Sequence, residues 1–168
     1  SFAGSDAYLD ADELTAATDR CASDVVSVPV YVSPIAVIFN LDGVEDVKLD
    51  SATLGAMFEG TITNWNDPSI KALNPGITLP STKITPVHRA DDSGTTKNFT
   101  DYLSATSGGA WTGGVVETWP IKGGEAADGT SGVVSAVASG SGTIGYADAS
   151  QAADLSIASI KVGSSYVQ

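Results

Sequence analysis

Apolar residues along this chain follow two rhythms, one helical and one extended. Leu54, Met57 and Phe58 share one side of a helix that starts near Asp50 and stops at Gly60. Val133, Val134 and Val137 mark a second helix, capped by Thr130 or Ser131 and ended by Gly140. Phe99, Tyr102 and Leu103 give a third its inward face. Asp10-Ala-Asp-Glu13 has the spacing of a capping box and predicts a short helix over 11–18. Asp10, Asp12 and Glu13 then read as caps and solvated charges, not metal ligands. Asp67-Pro68 is a cap followed by proline at the first helical position, and Asn74-Pro75-Gly76 ends that element. Between the helices lie β-branched stretches: Val28–Asn40, Ile84–His88, Thr143–Tyr146 and Ile157–Val162. Pro34 interrupts the first, which suits a crossover more than a central strand. No internal repeat is visible. Strands alternating with helices predict an α/β layered sheet with ligands at the carboxyl ends of its strands.

One such end carries candidate chemistry. The stretch from Ile84 to Leu103, ITPVHRADDSGTTKNFTDYL, reads as strand, arginine, Ser-Gly-Thr turn and amphipathic helix. The first turn of a helix holds amides without intrahelical partners, at the positive end of the helix dipole. An anion is the natural ligand for that end. Ser93 and Thr95 add hydroxyl donors, Gly94 permits close approach to the backbone, and Arg89 supplies a charged fork suited to oxyanions. The same residues also fit a serine-capped helix with a surface arginine.

Composition narrows the classes. With 168 residues, 42% hydrophobic and 17% charged, the chain is long enough for one domain with a real core. The apolar run Ile35–Phe39 is too short to span a bilayer. The chain opens at Ser1 without a visible signal peptide, as a mature, cleaved or truncated exported protein would. A net charge of −12 argues against nucleic acid and anionic membrane as partners. It does not argue against a small anion, whose affinity comes from local dipoles rather than the screened surface field. One cysteine, Cys21, and one histidine, His88, are too few for a structural zinc site, so no metal or other cofactor is expected. Cys21 reads either as a buried free thiol or as half of a disulfide whose other cysteine lies outside this chain.

HRADDSGTTKNFTDYL, preceded by LGAMFEGTITNWNDPSIKALNPGITLP, resembles the phosphate-binding protein of the Pst-type ABC phosphate importer. FAGSDAYL, TWPIKGGEAADGTSGVVSAV and GTIGYADASQA extend the resemblance over nearly the whole chain. It implies one lobe of a two-lobed periplasmic-binding-protein fold (type II), with a mixed sheet flanked by helices. It also implies extracytoplasmic capture of inorganic phosphate, without chemistry, for delivery to an ABC transporter permease. The protein would sit in the periplasm or at the cell surface, with or without a lipid anchor. Carried over residue by residue, Arg89, Ser93, Gly94 and Thr95 are phosphate contacts and Asp6 accepts the phosphate proton. Asp91 supports the Arg89 fork. Asp92 departs from the family pattern and adds a carboxylate beside the site.

Length departs as well, since family members are roughly twice as long. The resemblance therefore assigns residues 1–27 to a remnant of the first lobe and crossover, and 28–168 to the second, phosphate-binding lobe. The N- and C-terminal parts of the same protein would be partners in binding, and relatives with a second cysteine in the returning part suggest the Cys21 disulfide. Residues 1–27, lacking their sheet partners, are expected to be mobile or to lie away from their family position.

Other features have plainer readings. A phosphoesterase using Ser93 with His88 as base would need an orienting group and an oxyanion hole. Neighbouring strand residues point to opposite faces, so His88 and Arg89 should not share a site. A surface interaction protein with a vestigial phosphate site is the other alternative. Trp65 and Trp119 read as packing anchors. Asn98-Phe-Thr100 matches a glycosylation sequon, but its place within a helix disfavours use. The Gly113-Gly114 and Gly123-Gly124 pairs read as loops.

Overall fold

Asp10 caps the first helix as its spacing predicts. Its carboxylate accepts from the amides of Asp12 and Glu13, and Glu13 reaches back to the Asp10 amide. In the computed structural model, which describes residues 3–152 and 154–168, this α1 runs from Ala11 to Cys21 and buries none of its residues. Cys21 is exposed among these residues, at odds with the buried-thiol reading. The stretch that follows is extended and apolar but unpaired: Val30 is 90% and Val32 95% exposed.

Strand β1, Ile35–Asn40, begins immediately after Pro34 and buries four of its six residues. The expectation of a crossover there is half corrected. Proline lacks an amide donor, so it sits at no cost just before the ladder begins, while its carbonyl still accepts from Ala149. A short β2, Lys48–Leu49, leads into α2, Ser51–Glu59, capped by Asp50 and closed by Gly60 at φ 82°. Helix α3, Pro68–Leu73, follows its Asp67 cap. Next come β3, Thr85–Arg89, and α4, Gly94–Thr106, capped by Ser93. A further strand β4, Glu125–Ala127, had no signal in the hydrophobic pattern. Helix α5, Gly129–Ser139, starts earlier than expected, from Asp128 rather than Thr130 or Ser131, with no side-chain cap. Its Gly129 adopts φ 64°, which suits glycine at this tight entry. Strand β5 is Thr143–Asp148. The predicted 157–162 strand divides into β6, Ser156–Ile157, and β7, Ser159–Val162, with β8, Ser165–Val167, beyond.

The main sheet has the order β4-β3-β5-β1-β6, and β2-β7-β8 form a second, smaller one. β3 runs parallel to β4 and β5, while β1 is antiparallel to β5 and β6, so the sheet is mixed. Period-two alternation feeds both faces of β1. Val37 and Phe39 join Leu54, Phe58, Phe99 and Tyr146 in the larger core, whereas Ala36 and Ile38 join Val133 and Val137 of α5. Helices therefore cover the sheet on both sides, the expected α/β arrangement. It leaves the carboxyl end of β3 open, between the starts of α4 and α5.

Trp65 anchors the larger core, fully buried, with its indole N–H donating to the Gly142 carbonyl at 2.9 Å and its ring against Phe39. Trp65→Ala is expected to lower unfolding free energy by about 3–5 kcal/mol, through lost packing and an orphaned carbonyl. Chemical denaturation followed by circular dichroism measures it; a change below about 1 kcal/mol, the range of surface substitutions and modest repacking, would contradict this packing.

Candidate functional site

Three local structures meet at the end of β3. Backbone amides alternate in direction along a strand. Ala90 therefore donates to Ala127 on the β4 side, while Arg89 donates the other way, to the Tyr146 hydroxyl at 3.3 Å. The Arg89 side chain is largely buried. Its Nε donates to Asp91 Oδ1 at 2.7 Å, and its Nη2 reaches the other Asp91 oxygen. Asp91 Oδ1 also accepts from the Gly129 amide at 3.2 Å, which ties the fork to the start of α5. The Arg89 hydrogen bond, helped by the Gly129 amide, holds the Asp91 carboxyl well below the ordinary aspartate range. Arg89 is raised in turn, chiefly by Asp91 and slightly by the charge of Asp6.

The first turn of α4 supplies donors. Ser93 Oγ accepts from the Thr96 amide at 3.2 Å, so its hydroxyl proton remains to be given. The Ser93 amide donates to the Glu117 carbonyl and is not offered outward. Among the described residues, the amides of Gly94 and Thr95 have no partner. Ser93 and Thr95 are both buried.

Asp6 is brought to this turn. Its Oδ2 accepts from Thr95 Oγ1 at 3.0 Å, and its carbonyl accepts from Asn98 Nδ2 at 2.8 Å. A Cβ on Gly94 would stand 2.9 Å from Asp6 Cβ and 3.0 Å from the Ala7 amide. The close approach that Gly94 permits is thus made by the chain itself. Residues near Asp6 therefore pack against the start of α4, although α1 behind them buries nothing.

Asp92 turns outward, accepting from the Thr118 hydroxyl, which relieves the conflict its charge would pose. His88 stacks on Trp119 at 4.9 Å with Nδ1 against the Arg89 carbonyl, on the face that strand alternation assigns to it. Asn98 is exposed, but its amide is held by Asp6 and Gly94. Sequence reasoning overlooked Tyr146, Glu117, Asn98 and Gly129. Two of these carried a signal: Asn98 lies one turn beyond Gly94, and alternation puts Tyr146 on the same face as Ile144.

A family model described as "PBP superfamily domain" matches residues 1–168. The chain belongs to the PBP superfamily. Two curated relatives within reach of this PBP-superfamily chain are both named Phosphate-binding protein PstS 3. That of Mycobacterium leprae is 41% identical over 164 residues, covering 98% of this chain and 44% of that protein. That of Mycobacterium tuberculosis is 45% identical over 161 residues, covering 95% and 44%. A solved structure, a high affinity periplasmic phosphate-binding protein (PfluDING) bound with phosphate, superposes with a TM-score of 0.79 at 29% identity, over 95% of this chain and 46% of that one. This PBP-superfamily chain spans less than half the length of the curated relatives it matches.

The Arg89–Asp91 pair makes a pH prediction. The folded-state value of Asp91 lies below its ordinary 3.8, so its stabilisation is present above that value and is lost as pH falls through the folded one. Asp91→Asn is expected to cost about 1 kcal/mol at pH 7, since the carboxylate is partly exposed and screened. Parent and variant should converge in strong acid. Thermal melts across pH check this; a constant gap down to the acid limit would contradict the pairing.

Proposed function

We propose that this chain is the phosphate-holding part of an extracytoplasmic solute-binding protein that captures inorganic phosphate and passes it to an ABC transporter permease, without altering it. The observation that carries the reading is the first turn of α4. Two unpartnered amides, at Gly94 and Thr95, adjoin the Ser93 hydroxyl beside a part-buried arginine fork, with Asp6 on Thr95. Such an array suits a tetrahedral oxyanion. The printed names of the relatives, and the phosphate in the superposable structure, support phosphate as that oxyanion.

In this reading Arg89 neutralises charge, while Ser93 and the amides of Gly94 and Thr95 donate to phosphate oxygens, and the Thr95 hydroxyl joins them once the phosphate proton takes its place on Asp6. Asp91 keeps the fork flat and aimed. Asp6 accepts the proton that phosphate carries at neutral pH. Fully ionised sulfate has no such proton, and would leave a carboxylate facing an anion at a cost of several kcal/mol. Residues 28–168 form the second lobe and residues 1–27 a remnant of the first lobe and crossover, the remaining length supplying contacts that close over the ligand. By itself this stretch would hold phosphate only on the order of millimolar.

The test is titration calorimetry on the full-length protein with phosphate and with sulfate. Phosphate binding with sulfate ignored is the expected result, and comparable affinities would remove Asp6 from its role. Arg89→Ala should weaken phosphate by roughly ten- to several-hundred-fold while unfolding stays cooperative, because one charge-assisted fork is lost. Asp6→Asn should narrow the gap between the two anions, since an amide can donate to either. Unchanged binding by Arg89→Ala would place the anion elsewhere.

A further inference from the structure

We infer that Tyr146 is a positioning residue for the anion site, its buried hydroxyl locking the backbone at Arg89 to the first turn of α4. The inference rests on the phosphate reading of that site. Tyr146 is 1% exposed, with its ring stacked on Phe99 at 4.4 Å and flanked by Phe58 and Trp119. Phenylalanine would fill such surroundings equally well. A hydroxyl placed there is costly unless its partners compensate.

Those partners are particular. Residue pairing between β3 and β5 is confined to Thr85–Thr143 and Pro86–Ile144. Beyond it the Arg89 amide faces the β5 side with no strand carbonyl to meet, and the Tyr146 oxygen accepts from it instead, at 3.3 Å. The same oxygen is hydrogen-bonded to Thr96 Oγ1 at 2.7 Å. Thr96 is fully buried and sits three positions after the Ser93 cap, where its amide donates to Ser93 Oγ. One oxygen therefore joins the residue that bears the guanidinium to the turn that bears Ser93, Gly94 and Thr95. Burial pushes the phenol upward, so it keeps the proton that completes the link. A small anion must meet both halves at once, and a shift of either spoils the fit.

The experiment measures phosphate affinity of the full-length protein by calorimetry, with thermal melts alongside. Tyr146→Phe keeps the ring and removes the oxygen, Thr96→Val keeps the shape and removes the other partner, and Thr96→Ser keeps the hydroxyl. Tyr146→Phe and Thr96→Val are each expected to weaken phosphate by about three- to tenfold, the span of one neutral hydrogen bond. Thr96→Ser should stay within about twofold of the parent, and the double variant should lose no more than either single, as members of one link do. Parent-like affinity in Tyr146→Phe and Thr96→Val, or a loss in Thr96→Ser equal to that in Thr96→Val, overturns the inference while phosphate binding by the parent leaves the site reading standing. Should Tyr146→Phe fail to fold, the two Thr96 variants decide alone. A parent that binds no phosphate removes both the site reading and the inference.

Discussion

A stack of aromatic rings holds the two halves of the site at their separation. Tyr146 of β5 lies flat on Phe99 of α4, Phe58 of α2 meets Phe99 edge-on at 4.9 Å, and Trp119 meets Phe58 at 5.8 Å. Trp119 in turn lies over His88 of β3 with an interplanar angle of 10°. Two strands, two helices and the loop before β4 are thereby joined through one apolar cluster. Each such pair adds about 0.5–1.5 kcal/mol beyond area burial and, unlike aliphatic packing, prefers particular angles. The start of α4 is therefore fixed in orientation as well as in depth.

Electrostatics at this end is local. The chain carries −12 overall, and the guanidinium of Arg89 is already matched by Asp91. In the proposed reading attraction for an anion therefore falls on Arg89 and the oriented donors beside it rather than on net charge, and these act over a few ångströms, inside the screening length of the surface. In that reading the acidic surface would bear on encounter more than on residence, slowing the approach of an anion without loosening the bound state. In the proposed reading Asp6 would add discrimination, because a fixed carboxylate is tolerable only to a ligand that brings a proton.

Much of this was legible from residue order. Asp10, Asp67 and Ser93 read as caps from side-chain chemistry beside the helix they serve, and a helix start falls near Asp50; all four accept from first-turn amides. Local chemistry decides such positions. What escaped depends on contacts distant in sequence. Glu125–Ala127 has no apolar alternation and is a strand only because β3 offers it an edge. The Asp128 start of α5 has no capping hydrogen bond to advertise it. Nothing in GTIGYAD says that the Tyr146 oxygen meets residues 50 and 57 positions away. Asp6 was identified by resemblance, and its contact with Thr95 spans 89 positions.

The unpaired valines after α1 have a practical consequence. Val26, Val28, Val30 and Val32 repeat at the period of a strand and are each at least 70% exposed. A row of β-branched side chains with free backbone donors is a template for edge-to-edge association, and Pro29 interrupts that row at only one donor. A polypeptide limited to these residues would therefore meet its limit in solution through concentration sooner than through heat. The same core that resists unfolding offers no protection against a neighbouring molecule's strand.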